Sequence, residues 1–466
     1  MTTEAVSTAT GQLQNLTGVI TLKLRTPSRL RNLELVLLLF AIAINAGSFV
    51  LVQFGVLGEI EPGMLGASFV LAGLALAMHV ALRISAPDAD PLILPIATVL
   101  NGTGLAMIYR LDLAKGFEGW GAASVRQIVW TTLAVIVATV VLAGLRNYRV
   151  LQRFTYLAMF SAIVLLLLPL VPGLARTDDV AAKVWIDVAG FSFQPGEIAK
   201  IALGVFFAGY LVQHRDSLAV GGRKLLGMRL PRIRDLGPIL LIWAAAMGVL
   251  VFQRDLGTSL LYFGLFLVMI YVATGRLSWV LLGMGLFLGG AVIASQTLVY
   301  VNSRFTVWLD AFNPRYADGD AYQLVQGIFG IAQGGMVGTG LGQGRPNIVP
   351  LAESDFIIAS LGEELGLAGL FALLALYLLL VSRGFRIGFA GRDDFGRLLA
   401  VGLSFVVALQ VFIVIGGVTR VIPLTGLTTP FLAAGGSSLI ANWIIVAILL
   451  RLSDAVRNQP RLVVGP

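Results

Sequence analysis

The chain has no cysteine, two histidines and five lysines among 466 residues, and charged residues of both signs make up only 12%. Without cysteine there are no disulfides, no thiol catalysis and no cysteine metal sites, and the redox compartment cannot be read. His79 and His214 are too few and too far apart for a histidine-based metal centre. A soluble domain is typically about 25% charged and about 45–50% apolar. Here 57% of residues are hydrophobic and the mean hydropathy is +0.89. These values exclude a soluble enzyme, a nucleic-acid binder and a disordered scaffold. The net charge of +8 does not read as a polyanion-binding footprint, because the basic residues distribute by membrane side.

What the chain has in abundance is long apolar runs. A bilayer core of roughly 30 Å takes about 20 apolar residues per helix, and a lipid-embedded backbone must satisfy its own hydrogen bonds. Twelve spans are predicted, at 33–54, 64–82, 91–109, 127–145, 154–172, 197–213, 237–253, 257–275, 278–298, 356–381, 398–417 and 430–450. The fold class is therefore all-α, a polytopic membrane protein of about 12 transmembrane helices. With the N-terminus placed in the cytoplasm, 22 of the 33 basic residues fall on inner segments. That bias fits an even number of spans and both termini inside. The first 31 residues are polar and form a cytoplasmic tail without the apolar core and cleavage site of a signal peptide. A long outer loop, 299–355, carries the glycine-dense run GIAQGGMVGTGLGQGRPN, and a loop of that length points to function. It has neither the Gly-Lys-Ser/Thr ending nor the preceding strand of a phosphate loop, so nucleotide binding is rejected.

Ionisable groups inside or at the mouth of spans are costly and mark candidate sites. In FSFQPGEIAKIAL, Pro195 starts a helix and Glu197 and Lys200 share one face at i,i+3. The plain alternative is a cap acid and a snorkelling lysine. In VFQRDLGTS, Gln253, Arg254 and Asp255 lie between two apolar runs, either as a polar hairpin tip or as a site. In AESDFIIASLGEELGL, Asp355 stands at a span mouth. Glu363 and Glu364 follow about two turns deeper, close to the face of Glu353 and Asp355. A carboxylate there serves as general base, metal ligand or helix cap. In VTRVIPLTGLTTPFLAAGGSSLIANW, prolines and glycines break the helix, as happens where backbone lines a cavity. Ser437, Ser438 and Asn442 offer hydrogen bonds in the last span, or pack as small residues. His79 and Gln410 read as internal hydrogen-bond partners.

In order along the chain, these segments resemble the SEDS family (shape, elongation, division and sporulation), the RodA and FtsW proteins of bacterial wall synthesis. QPGEIAK at 194–200 is similar to that family's Q-P-S-E-x-x-K, with Gly196 for serine. QRDLGTS at 253–259 is similar to Q-x-D-x-G-T, and 322–344 to its Y-Q…G-G-x-x-G-x-G-x-G loop. ESDFIIASLGEELGL at 353–367 is similar to H-T-D-F-I-F-A-x-x-x-E-E-x-G, with Glu353 and Ser354 for His-Thr. IPLTGLTTPFLAAGGSSL at 422–439 carries Ala433 and Ala434 where the family has Ser-Tyr, which favours the RodA elongation branch. The resemblance covers 91–455. It implies a ten-helix core preceded by two additional N-terminal helices at 32–90 and followed by a cytoplasmic tail at 456–466.

The resemblance implies a peptidoglycan glycosyltransferase that polymerises lipid II at the outer face of the bacterial cytoplasmic membrane, for cell elongation and shape. It makes Asp355 the catalytic carboxylate and Lys200, Glu197, Arg126 and Asp255 further functional positions. Gln194, Arg304 and Ser437 complete the expected substrate-binding set. Lys200, Arg126 and Arg304 are the cations available to a pyrophosphate, and Lys200 is expected to attract Asp355. No resident cofactor is required, and a divalent cation, Mg or Mn, is compatible with carboxylates and phosphate. The implied partner is a class B penicillin-binding protein, a transpeptidase, alongside lipid II and membrane lipid, with no nucleic acid. The competing class is a lipid-linked precursor flippase or another 12-helix transporter.

Overall fold

The computed structural model describes residues 28–171, 184–188, 191–220 and 252–458, with isolated positions between them. The long helices are α1 (Ser28–Val56), α2 (Pro62–Ser85), α3 (Ile93–Lys115), α4 (Ala123–Gly144), α5 (Thr155–Leu167) and α6 (Pro195–Val220). They continue as α7 (Leu256–Thr274), α8 (Leu277–Thr297), α9 (Val299–Leu309), α10 (Tyr322–Gly334), α11 (Ile357–Ala390), α12 (Asp394–Val418) and α13 (Gly436–Arg457). Nine helices among the described residues are long and apolar enough to cross a membrane. Two more predicted spans coincide with α3 and with the shorter apolar helix Thr155–Leu170. The predicted span at 237–253 lies almost wholly outside the described residues. The all-α, multi-pass architecture is thus as expected.

Residues buried nearly all round form the middle of the bundle. α12 and α13 are covered by neighbours along most of their length, whereas α8 is almost wholly exposed and α1 shows only a narrow buried stripe. Lipid is the solvent for such apolar outer faces, so their exposure costs nothing. α4 packs on α13, α11 on α12, α1 on α3 and α5 on α6. Phe206, Phe207, Met269 and Leu403 fill the centre where α6, α7 and α12 meet.

Polar groups sort to two ends of the bundle. At one end Glu34 takes Arg31 at 2.5 Å and His79 at 2.6 Å. Arg457 reaches Asp90 at 2.6 Å, and Arg215 reaches Asp394 at 2.8 Å. All of these come from segments predicted to be on the inner side or from the span ends bordering them. At the other end Lys115 meets Glu353 at 2.7 Å, both from predicted outer segments. The alternation of sides read from the sequence therefore fits the packing.

Two predicted spans differ in detail. The last helix begins at Gly436 rather than at 430, because 424–435 runs as irregular backbone with Phe431 at φ 65° and Gly426 at φ 80°. The span predicted at 356–381 extends to Ala390 and is broken at Gly366 (φ 68°, ψ −175°). The glycine-dense loop causes that break. Thr339 and Gly340 donate their amides to the Glu363 and Glu364 carbonyls at 3.0 Å, and Leu367 and Ala368 donate back to Gly335 and Met336. Backbone lies on backbone here: a Cβ on Gly338 would fall 2.2 Å from the Glu364 carbonyl oxygen, and one on Gly366 2.2 Å from the Gly338 nitrogen.

Candidate active site

The site is built around residues 424–428, the irregular backbone leading into α13. Asp355, two residues before α11, lies against it: a Cβ on Gly426 would stand 3.7 Å from Asp355 Oδ2. Arg304, on α9, donates from Nη1 to the Leu424 carbonyl at 2.8 Å. The first turn of α7 closes on the same strip, since a Cβ on Gly257 would strike the Leu427 side chain at 2.6 Å. Asp255 caps that turn. It accepts from the Thr258 amide at 2.9 Å and from the Thr258 hydroxyl at 2.6 Å, which is the use of an N-cap aspartate.

Electrostatics tie these groups together. Burial pushes the Asp355 carboxyl up to about 6; Arg304 pulls it down, Asp255 adds to the rise, and a hydrogen bond with Ser354 lowers it. Burial also raises Asp255, against its bonds to Thr258, and Glu197 adds to the rise while Arg304 opposes it. Asp255, Asp355 and Arg304 thus sense one another as a two-acid, one-base group at the mouth of the bundle.

Beneath this group runs a buried polar chain. Lys200 Nζ donates to Glu197 Oε2 at 2.5 Å and to Gln410 Oε1 at 2.9 Å. Gln410 Nε2 in turn donates to the Thr428 carbonyl at 2.9 Å. Tyr262 donates its hydroxyl to the Gly196 carbonyl at 2.5 Å, and the Gln194 amide donates to Ser437 Oγ at 3.1 Å. The sequence segments 194–200, 253–259 and 422–439 therefore form one framework that holds the backbone at 424–428. The hydroxyls of Thr428 and Thr429 are buried without a hydrogen-bond partner among the described residues.

Several expectations need correction. Lys200 does not pair with Asp355; its ammonium is taken up by Glu197 and Gln410, and the cation acting on Asp355 is Arg304. Arg126 is exposed and spends its guanidinium on the Trp120 and Gly121 carbonyls, both at 2.9 Å. Its neighbour Gln127 reaches the broken segment instead, through Ala433 and Gly435. Glu363 and Glu364 do not share a site with Asp355. Glu364 takes Arg110 at 2.9 Å and the Gly342 amide at 2.8 Å, while Glu363 accepts from the Arg345 amide at 2.5 Å.

Two contributors escaped the sequence reading. Thr258 stands three residues after Asp255, the spacing of a capping interaction, and that signal was available. Arg110 was visible only as a lone cation at the edge of a span. Nothing local names Glu364, 254 positions away, as its partner. Among the described residues no three His, Asp or Glu side chains gather to hold a metal ion. A divalent cation would have to be shared between one or two of these carboxylates and substrate phosphate oxygens.

A multi-pass helical membrane protein with two communicating carboxylates and an arginine at one mouth of its bundle is the class this site defines. The family described as cell cycle protein, of FtsW, RodA and SpoVE, matches residues 90–458, and the chain belongs to it. The chain is 46% identical to the peptidoglycan glycosyltransferase RodA of Mycobacterium tuberculosis over 443 residues, covering 93% of this chain and 92% of that one. It is 32% identical to a probable peptidoglycan glycosyltransferase FtsW of a Geobacter species, over 79% of this chain and 98% of that one. A solved chain from a study of polymerization and crosslinking by a peptidoglycan synthase complex superposes with a TM-score of 0.55. That match has 24% identity and covers 85% of this chain and 98% of that one, a likeness of fold.

Proposed function

We propose that this protein is an inverting peptidoglycan glycosyltransferase that joins lipid II units into glycan strands at the outer face of the cytoplasmic membrane, in the service of cell elongation. The observation carrying the reading is Asp355, set against the irregular backbone at 424–428 with Arg304 and Asp255 acting on it. The similarity to a RodA named as a peptidoglycan glycosyltransferase points the same way.

The leaving group of lipid II is an undecaprenyl pyrophosphate, and the acceptor is a sugar hydroxyl. Asp355 as general base takes the hydroxyl proton while the acceptor oxygen bonds to the anomeric carbon. The bond from that carbon to the pyrophosphate oxygen breaks, its electron pair leaves with the pyrophosphate, and the anomeric centre inverts. Arg304 is placed both to favour the ionised base and to receive charge developing on the pyrophosphate. Asp255 keeps the first turn of α7 against 425–427. Glu197, Lys200, Gln194 and Ser437 position the same backbone from below and do not touch the sugar in this reading. Arg126 belongs to the rim; a divalent cation, if bound, would be held by Asp355 or Asp255 and would offset negative charge on the pyrophosphate.

In this reading both termini face the cytoplasm, the tail through residue 31 and the tail from 456 are cytoplasmic, and 91–455 is the catalytic core. The first of the two helices at 32–90 meets the loop 299–355 at its end: the Gln343 side-chain amide donates to the Gly55 carbonyl at 3.3 Å. A class B penicillin-binding protein is the proposed partner, which would cross-link the strands.

The test is polymerisation of labelled lipid II by the purified protein, alone and with such a partner. Strands longer than the input unit, abolished in a folded Asp355→Asn variant, support the reading. A near-normal rate in that variant removes Asp355 from the chemistry. Movement of lipid II across vesicles without polymer would favour the carrier instead.

A further inference from the structure

A cavity of about 310 Å³ opens at the end of the bundle opposite Asp355, between α11 and α13. Its polar wall is Arg383, Arg386, Arg457, Asp90 and Ser453. Asp90 is buried, and it holds Arg457 at 2.6 Å and Arg383 at 3.7 Å. One carboxylate thus fixes two guanidinium groups and neutralises one of them. Arg386 is exposed and has no ion-pair partner among the described residues, so the wall carries a net positive charge. The Ser453 hydroxyl is buried and has no hydrogen-bond partner among the described residues. A donor at the wall of a cationic cavity calls for an acceptor, and a buried polar group left alone is costly. Ile387 and Val456 form the apolar side of the same cavity, and Phe389 stands two-thirds exposed on the neighbouring helix surface.

We propose that this cavity binds the phosphate headgroup of an anionic membrane lipid, one copy per chain. Guanidinium forks match phosphate oxygens in pairs, the serine hydroxyl supplies a further donor, and the apolar wall runs out to the lipid-facing surface where acyl chains lie. Basic pockets between spanning helices bind such headgroups by this combination. That the lipid belongs to the inner leaflet rests on the orientation proposed above; the binding itself does not.

The test uses the full chain in detergent, titrated with dioleoyl phosphatidylglycerol and followed by native mass spectrometry. Dioleoyl phosphatidylcholine, which has the phosphate but no net charge, is the comparison. One retained phosphatidylglycerol, held in preference to phosphatidylcholine, is expected. Arg386→Ala should weaken retention about fivefold and Arg383→Ala/Arg386→Ala about 25-fold, at the usual worth of a basic residue near a membrane surface. Ser453→Ala removes the buried donor without touching charge, and several-fold weaker retention is expected even if the double variant fails to fold. Unchanged retention in Arg386→Ala and Ser453→Ala overturns the proposal. So does an equal loss in Arg153→Ala, which lies outside the cavity and would indicate general charge attraction. Displacement of the lipid by an equal concentration of inorganic phosphate would assign the cavity to a soluble phosphate and overturn the lipid form. A topology opposite to the proposed one, with the lipid still retained, would overturn the leaflet alone.

Discussion

Lys200 Nζ and Glu197 Oε2 are 2.5 Å apart, one turn from each other on α6 and almost wholly buried. Neither charge reaches solvent, so removing one strands the other. Lys200→Met is expected to cost about 3–5 kcal/mol, the usual penalty for breaking a buried pair from one side. The double variant Glu197→Gln/Lys200→Met should recover most of it, since a neutral pair carries no stranded charge. Thermal melting of the parent, Glu197→Gln, Lys200→Met and the double variant is the measurement. A loss in the double variant equal to the sum of the singles would mean that the two side chains do not stabilise each other.

Asp355 yields a pH dependence with a definite sign. Its carboxyl is raised to about 6 in the folded protein, chiefly by burial, and the proposed base must be ionised. Polymerisation is therefore expected to rise about tenfold per pH unit below 6 and to level off above it. Arg304 holds the carboxyl down, so Arg304→Ala should move that inflection upward and Arg304→Lys should restore part of the shift. Stability runs the other way. A carboxyl whose folded value lies above its unfolded one destabilises as pH rises through roughly 4 to 6, and the loss is complete above 6. Asp355→Asn should accordingly melt higher than the parent at pH 8 and equally at pH 4. Equal melting at both pH values would mean that the carboxyl is not strained by its surroundings.

Periodicity and charge placement made much of this arrangement legible in advance. Apolar runs located the helices, because lipid demands them, and Pro195, Pro423 and Pro430 marked where regular backbone stops or starts. Asp255, Asp355, Glu197 and Lys200 stood out because charge beside an apolar run is expensive. What could not be read was who meets whom. Helical spacing put Glu363 and Glu364 near the face of Asp355, but the helix starts only at Ile357, so Asp355 lies in the preceding turn outside that periodicity, while Glu363 and Glu364 meet Arg110 and the backbone of the glycine loop. Lys200 offered a plausible mate for Asp355 by sign alone. Its mates are Glu197, three residues back on the same helix, and the neutral Gln410, 210 positions away.

The glycine loop and the break in α11 form a lock that tests the fold at a distance from the chemistry. Gly338 (φ 82°) and Gly366 (φ 68°) combine left-handed backbone with a neighbour's main chain where a Cβ would go. Alanine at either position meets steric overlap in addition to about 1–3 kcal/mol for the backbone conformation itself. Gly289 on α8 has nothing within 4 Å of a built Cβ, and alanine is the better helix former there. Melting temperature is expected to fall in Gly338→Ala and Gly366→Ala and to hold or rise in Gly289→Ala. A Gly366→Ala protein as stable as the parent would show that the break is not required for the loop to seat.

The absence of cysteine makes the membrane orientation directly measurable, because any introduced thiol is the chain's single one. Asp318, in the loop after α9, and Arg392, between α11 and α12, are both exposed. Glu34 and Arg31 of α1 meet His79 of α2 and the Ala89 carbonyl, and Asp90 meets both Arg457 of α13 and Arg383 of α11, so Arg392, just after α11, belongs with this arginine-rich end. By the positive-inside tendency, the excess of basic residues at that end predicts that it faces the cytoplasm. A membrane-impermeant maleimide added to intact cells is expected to label Asp318→Cys and to leave Arg392→Cys untouched until the membrane is opened. Labelling of Arg392→Cys from outside would put Asp355 and Arg304 on the cytosolic side, away from any extracytoplasmic glycan, and the proposed polymerisation would have no acceptor there.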